Sequence, residues 1–204
     1  MTDRPIIFSA PMVRALAAGR KTQTRRLATS PLRRVQPGDR LYVREAWRLP
    51  ANWDDRAPNA IVESCREAGW RQPWAPIAWE ADGTRDNWGE WREHEPGRLR
   101  PSMHLPRPFS RMTLIVEVVK VERLQDISEA DGEAEGCVWD SADGHDVWYV
   151  PGAQMPRNGA TAAECYAVLW DTLHTKPGER WQDNPDVVAL TFRVLPGNID
   201  KVSA

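Results

Sequence analysis

The sequence predicts an α+β fold, a small mixed β-barrel flanked by helices and carrying a tryptophan-rich insertion. Three observations lead there. Segments of strand and helix character follow one another as strand, helix, strand, insertion, strand, helix, helix, strand. That alternation is too irregular for a doubly wound sheet, and no glycine-rich phosphate loop follows a strand. Between residues 48 and 103 the composition shifts to Trp, Pro, Gly and charges with weak periodicity. At 204 residues the chain is expected to be a single domain, 1–204, with its insertion at 48–103.

Each element has its own local warrant. Ile6 to Ser9 is a short apolar run of strand type. Pro11 suits the first turn of a helix, Met12 and Leu16 supply its apolar positions, and Gly19 is a natural stop. Lys21 and Thr24 therefore fall just beyond a helix end. Pro37-Gly38-Asp39 is a turn signal, and the run from Arg40 to Trp47 reads as a half-buried strand with Leu41 and Val43 on one face. Within the insertion only Ile77-Ala78-Trp79 has strand character, yet six of the eleven tryptophans (Trp53, Trp70, Trp74, Trp79, Trp88 and Trp91) lie there, a density that argues against disorder. The insertion is expected to be irregular but packed. Met112 to Glu122, rich in Val, Ile and Thr, is the strongest strand. Ser128 ahead of Glu129-Ala130-Asp131 marks a short helix running through Glu135 to Gly136. Residues 139–160 read as an irregular loop. Thr161-Ala-Ala-Glu164 is a capping box for a helix whose apolar face holds Cys165, Val168, Leu169 and Leu173, and Val187 to Val194 is the closing strand.

Bulk composition narrows the function classes. The formal net charge of −2 excludes polyanion binding by overall charge. Residues 1–44, however, carry ten basic side chains against two acidic ones, a local +8 that leaves −10 for the remainder. Such a region fits a local anionic partner such as a nucleotide or RNA, or equally a solvated face paired with the acidic remainder. Cys65, Cys137 and Cys165 have no C-x-x-C spacing, so a disulfide scaffold or a zinc site is not expected and a reducing cytoplasm is. The opening M-T-D-R-P has no secretory character, and no apolar run is long enough to span a membrane. His94, His104, His145 and His174 lack metal-binding spacing.

Several stretches together resemble the ASCH domain family, in wording close to members common in bacteriophages and prophages. They are I-I-F-S-A-P-M-V-R-A-L-A-A-G-R-K-T-Q-T-R-R (Ile6 to Arg26), P-G-D-R-L-Y-V-R-E-A-W (Pro37 to Trp47), R-P-S-M-H-L-P-R (Arg100 to Arg107) and V-E-R-L-Q-D-I-S-E-A-D-G-E-A-E-G (Val121 to Gly136). L-W-D-T-L and the closing N-P-D-V-V-A-L-T-F complete the set. The resemblance implies one ASCH domain with a PUA-like β-barrel and a cleft often suggested to bind RNA. It also implies an activity. Some small members are amidohydrolases acting on N4-acetylcytidine and related N4-acylated cytosine nucleosides through a lysine, a threonine and a glutamate. Those positions match Lys21, Thr24 and Glu135, with Glu133 the neighbour that a small alignment slip would select. Other members are linked to ribonuclease activity or to coactivator complexes, so the family alone does not fix the reaction; the basic N-terminal region leaves a non-catalytic RNA-binding module as the alternative.

The chemistry is coherent. Hydrolysis of an N4-acyl amide needs a nucleophile, a base to take its proton, and an acid to protonate the leaving amine. The resemblance assigns these to Thr24, Lys21 and Glu135, with no cofactor and no metal. A lysine serves as base only when desolvation or positive neighbours bring its pKa below the ordinary value of about 10.4. Arg20, Arg25 and Arg26 stand close by in sequence for that purpose. Arg26, Glu45 and Trp47 are the expected substrate-binding residues: Arg26 orients a carbonyl, Glu45 accepts from a base amine, and Trp47 stacks on the pyrimidine. Two of them have a plainer alternative, a salt bridge for Arg26 and the core for Trp47. The expected partner is a modified pyrimidine nucleoside, free or within RNA.

Overall fold

The Val- and Thr-rich run at the middle of the chain forms the longest strand in a computed structural model that describes residues 2–83, 95–141, 146–155 and 159–202. Thirteen regular elements follow in chain order: β1 (Asp3–Ile7), α1 (Ala10–Ala17), β2 (Gln23–Leu27), β3 (Arg40–Arg44), β4 (Trp47–Arg48), α2 (Pro58–Glu67), β5 (Ala78–Trp79), β6 (Met112–Arg123), α3 (Glu129–Ala134), β7 (Val138–Asp140), β8 (Val147–Tyr149), α4 (Ala162–Leu173) and β9 (Asp186–Pro196). Five of the strands form one mixed sheet in the order β1-β3-β6-β9-β2. β1 runs parallel to β3, and β2 runs antiparallel to β9. The α+β class is as expected, and the architecture is this five-stranded mixed sheet with four α-helices.

By contact density the chain divides into two compact units, each assembled from separated stretches of sequence. One comprises Ala15–Asp39 and Ile115–Val194; the other comprises Thr2–Arg14, Arg40–Leu114 and Leu195–Ala204. The 48–103 segment falls wholly in the second unit. It is more regular than its composition suggests. β4 and β5 pair through Trp47 and Trp79, and α2 forms between them. Pro58 opens that helix at its first turn, where a missing N–H costs nothing. Ile61 and Val62 then enter a core with Trp47, Leu49, Leu105 and Phe109, against which Trp53 and Trp79 pack. Trp53 and Trp79 thus help build a core, whereas Trp70 and Trp74 are exposed. Trp88 and Trp91 lie outside the described residues.

β3 departs from the half-buried reading. Leu41, Tyr42 and Val43 are all buried, because β3 is an interior strand of the sheet and both its faces are covered. Residues 139–160 also hold more order than expected, since β7 and β8 make a short hairpin in which Trp139 faces Trp148 directly.

In the first unit the capping box read at Thr161 to Glu164 forms only by its threonine half, since the Glu164 carboxylate accepts from Ala160 N, while Ser128 starts its helix with a full box. The Ser128 side chain accepts from Asp131 N, and the Asp131 carboxylate accepts from Ser128 N in return. The helix they start ends at Ala134, short of the expected run through Glu135 to Gly136, with Glu135 as its C-cap. At the head of α4, Thr161 Oγ1 accepts from Glu164 N at 3.1 Å. The two helices are joined by Ala162 N donating to Glu129 Oε2 at 2.7 Å. Gly132 allows their close approach, because a Cβ there would lie 2.7 Å from the Ala162 carbonyl carbon. Gly132→Ala is expected to destabilise the protein by about 1–3 kcal/mol through overpacking, read as a lower urea midpoint at unchanged slope.

Candidate active site

The loop after α1 sets the first group. Gly19 has φ +69°, a conformation that suits a residue without Cβ, and it turns the chain back on the helix. Arg20 N and Lys21 N both donate to Ala15 O, at 2.9 and 3.1 Å, and Thr22 N donates to Ala134 O at 2.9 Å. The end of α1 is thereby tied to the end of α3. Lys21 and Glu135 stand at this junction.

The two meet as a buried ion pair. Lys21 Nζ lies 2.6 Å from Glu135 Oε2, each side chain being only 2% exposed. The same ammonium donates to the Glu135 carbonyl oxygen at 2.9 Å. Burial pushes the Lys21 pKa below the ordinary lysine value; Glu135 opposes this and the charge of Arg26 adds to it. Thr24 is fully buried, and its hydroxyl accepts from Arg26 Nη1 at 2.8 Å. Arg26 also donates to Arg25 O at 2.9 Å, so its guanidinium is fixed along β2.

Arg25 organises the other acids. Its Nη2 reaches Glu122 Oε1 at 2.9 Å and Asp131 Oδ2 at 3.1 Å, while Nη1 reaches Glu135 Oε1 at 3.3 Å and also bonds Gln23 Oε1. Burial disfavours the Arg25 cation, yet Glu135, Asp131 and Glu122 outweigh that and hold its pKa above the ordinary value. Gln23 extends the network by donating to Asp131 Oδ1 at 2.9 Å and to Thr191 Oγ1 at 3.2 Å, its partner across β9. Burial raises the Asp131 pKa, but hydrogen bonds from Gln23 and Ser128 and the charge of Arg25 prevail and lower it. Tyr166 of α4 has its ring 5.9 Å from the Arg25 guanidinium carbon. Burial and the nearby Glu135 charge push the Tyr166 phenol well above its usual pKa. Cys137, buried and hydrogen-bonded to Cys165, is likewise pushed far up.

Of the residues expected from sequence, Lys21, Thr24, Arg26 and Glu135 all belong to this unit. Lys21 and Glu135 touch, and so do Thr24 and Arg26. Glu133, the alternative carboxylate, is exposed. Glu45 and Trp47 belong to the second unit. Glu45 is held by Arg111 at 2.8 and 2.9 Å, and Arg111 also grips Asp82 and covers the Trp79 ring. Burial raises the Glu45 pKa against that pairing. Trp47 is 0% exposed, so packing leaves no face of its ring open to a base in this structure; the plainer core alternative describes its placement. Glu122, Asp131, Gln23 and Tyr166 were not foreseen. The alternation of Gln23 and Arg25 on one face of β2 is the signal that could have suggested a polar side.

Among the described residues no group of three or more His, Cys, Asp or Glu side chains is arranged to hold a metal ion, and no helix is long and apolar enough to cross a membrane. His174 stacks on Trp170 with ring centroids 3.8 Å apart, while His94 and His145 lie outside the described residues.

No family model and no curated protein matches the chain. Among solved structures it is similar to the crystal structure of hypothetical protein PH0355, at a TM-score of 0.43 and 12% identity, covering 96% of this chain and 100% of that one. A likeness at that level carries no argument about activity.

Removing Arg25 would leave three carboxylates without their shared cation. Arg25→Gln is expected to cost about 3–5 kcal/mol, measured by denaturant unfolding at neutral pH. Part of that loss should be recovered in acid, where protonation relieves the unpaired acids.

Proposed function

We propose that this protein is an ASCH-type amidohydrolase of PUA-like fold that cleaves the N4-acyl amide of N4-acetylcytidine-type nucleosides, giving cytidine and a carboxylic acid. The observation that carries the reading is the buried Lys21–Glu135 pair, whose 2.6 Å contact joins residues 114 positions apart. They are the lysine and the glutamate that the sequence resemblance implies as catalytic. Thr24, the third member, lies fully buried on the strand that starts two residues after Lys21.

On this reading the pair handles protons. Moving one proton from Nζ to Oε2 converts an ammonium and a carboxylate into a free amine and a carboxylic acid, which are the base and the acid the reaction needs. Burial, which lowers the Lys21 pKa, favours the amine. The Thr24 hydroxyl attacks the acyl carbon and passes its proton to Lys21. The carbonyl π electrons move onto oxygen, forming a tetrahedral intermediate. Its collapse breaks the C–N bond, and Glu135 delivers a proton to the departing amine of cytosine. Lys21 returns its proton to Glu135, water attacks the acyl-threonine ester as Lys21 takes the water proton, and Glu135 protonates the departing Thr24 oxygen, which releases the carboxylic acid and restores the hydroxyl. Arg26, bonded to Thr24 Oγ1, orients the nucleophile. Each proton transfer is assigned to a side chain of this set. Because Lys21, Thr24 and Glu135 are each at most 2% exposed, turnover on this reading requires the cover over the set to open.

Release of cytidine from N4-acetylcytidine, followed chromatographically, is expected for the wild type and to fall by about 10³-fold or more in Lys21→Ala and in Thr24→Val, as removal of a nucleophile or its base does. Equal turnover in wild type and Lys21→Ala, or none in the wild type, would sink the assignment. Because the reacting form keeps one proton on the Lys21–Glu135 pair, kcat/KM should fall as pH rises through the Lys21 pKa and that proton is lost. That limb should sit below the ordinary lysine value of about 10.4, and a limb at or above it would contradict Lys21 as the base.

A further inference from the structure

Cys137 and Cys165 take no part in the amide chemistry, yet the fold places them as a pair. Cys137 closes α3. It follows Gly136, whose φ of +104° turns the chain, and its N–H donates to Gly132 O at 3.3 Å. Cys165 stands one turn into α4, with its N–H on Thr161 O at 3.0 Å. These two helices are already in close contact where Gly132 meets Ala162, and the two thiols meet between them in a hydrogen bond. Cys137 is 3% exposed and Cys165 0%. Gly159 lies over Cys165, since a Cβ on it would come within 2.9 Å of the Cys165 Cβ. Cys137 instead lines a pocket of about 520 Å³ beside α3 and the β7–β8 hairpin. One sulfur thus borders space that a small solute can enter, and the other is closed in behind it.

A buried cysteine is often only a small apolar side chain. Packing alone requires neither that two thiols touch nor that one of them stand at a pocket wall. Sulfurs in hydrogen-bond contact already face one another, as a bond of about 2.0 Å between them demands. Their protons also differ. The Cys137 S–H donates to the Cys165 sulfur, which favours a thiolate there and holds the Cys165 pKa below the ordinary thiol value. The same bond and burial push Cys137 far up. The pair therefore gives up its first proton more readily than a lone buried thiol and retains the second between the sulfurs. One nucleophilic sulfur beside one thiol proton is the arrangement that dithiol redox motifs reach through C-x-x-C spacing. Here two helix ends bring it about instead.

We infer that Cys137 and Cys165 form an oxidisable dithiol, which a peroxide entering by the pocket converts to an intramolecular disulfide. With the retained proton on Cys165, the Cys137 thiolate attacks one peroxide oxygen and the O–O bond breaks. The departing hydroxide takes up the proton that the pair had released, giving water, and Cys137 becomes a sulfenic acid. The Cys165 sulfur then attacks the Cys137 sulfur. The S–O bond breaks, and the departing oxygen takes the Cys165 proton and leaves as a second water. Two thiols lose two electrons, and the peroxide gains them. A bond of this kind in a reducing compartment is transient and reports oxidant rather than holding the fold. Its effect is local: it ties the end of α3 to the first turns of α4, two residues from Glu135. The inference does not depend on the deacylase reading.

The test treats the folded wild-type protein with hydrogen peroxide, removes the oxidant, and alkylates with iodoacetamide under denaturing conditions. Intact mass and peptide mapping then report each cysteine. The expected product is lighter than the reduced protein by two hydrogens before alkylation. Only Cys65 should take the alkyl group, and one linked peptide pair should contain Cys137 and Cys165. Dithiothreitol should reverse all of this. The bond closes a loop of about 30 residues, so the oxidised protein should melt about 5–10 °C higher than the reduced one. Cys65→Ser should oxidise as the wild type does, and Cys165→Ser should lose the linked pair. Alkylation of both Cys137 and Cys165 after oxidation overturns the inference. So does a linkage to Cys65, or added oxygen on Cys137 without linkage. The mapping needs only the wild type, so a variant that fails to fold leaves the answer intact. Since the readout is covalent, failure of the deacylase reading would not alter it.

Discussion

Arg25 is the interaction on which the first unit depends. It is 1% exposed and reaches Glu122 of β6, Asp131 of α3 and the C-cap residue Glu135 with one planar guanidinium. A lysine could not do this, because its point charge lacks the fork that meets several carboxylates in fixed directions. The cluster would be too acidic on Arg25 alone. Lys21 supplies a second cation from inside, and Lys120 a third from the surface, 2.5 Å from Glu122. Three acids thus meet three bases. Burying such a set is costly unless each charge is hydrogen-bonded, and Lys21, Arg25, Asp131 and Glu135 each take part in such bonds.

The alternation of β2 distributes labour among its residues. Gln23 and Arg25 share one side of the strand and bond to one another, while Thr24 and Arg26 share the other and do the same. The acid cluster is gathered by the first pair. The candidate nucleophile is positioned by the second. Two adjacent arginines with the same composition therefore serve different ends, and neither substitutes for the other.

What the sequence made legible follows the same logic. Elements announced by a local signal were readable: Gly19 as a stop, Ser128 and Thr161 as caps, and the Val- and Ile-rich run of β6. Lys21 and Glu135 were readable as candidates because they stand in a motif. Their contact was not, since nothing local marks two side chains 114 positions apart as neighbours. Glu122 reads only as the last residue of a strand, and Asp131 only as part of an acidic first turn, although Asp131 serves both Ser128 and Arg25. Helix α2 was missed because it anchors itself with only Ile61 and Val62, too few to establish a helical period. Trp47 offered two readings, a stacking surface or core, and composition does not decide between them; a neighbouring cluster of Leu49, Ile61 and Phe109 does.

The placement of residues 48–103 bears on how such a chain assembles. The whole stretch lies between Lys21 and Glu135 along the chain, yet it belongs to the other unit. During folding it acts toward the first unit as a tether. Closing a flexible tether costs free energy that grows only as the logarithm of its length, about 0.6 kcal/mol for each doubling. The segment could therefore lengthen or shorten between one chain and another with little effect on whether Lys21 finds Glu135. The burden falls on timing instead. Contacts of such long separation form slowly, and in a chain emerging from the ribosome Lys21 and Arg25 remain hydrated until α3 has been made, so the charge cluster is among the later features to close.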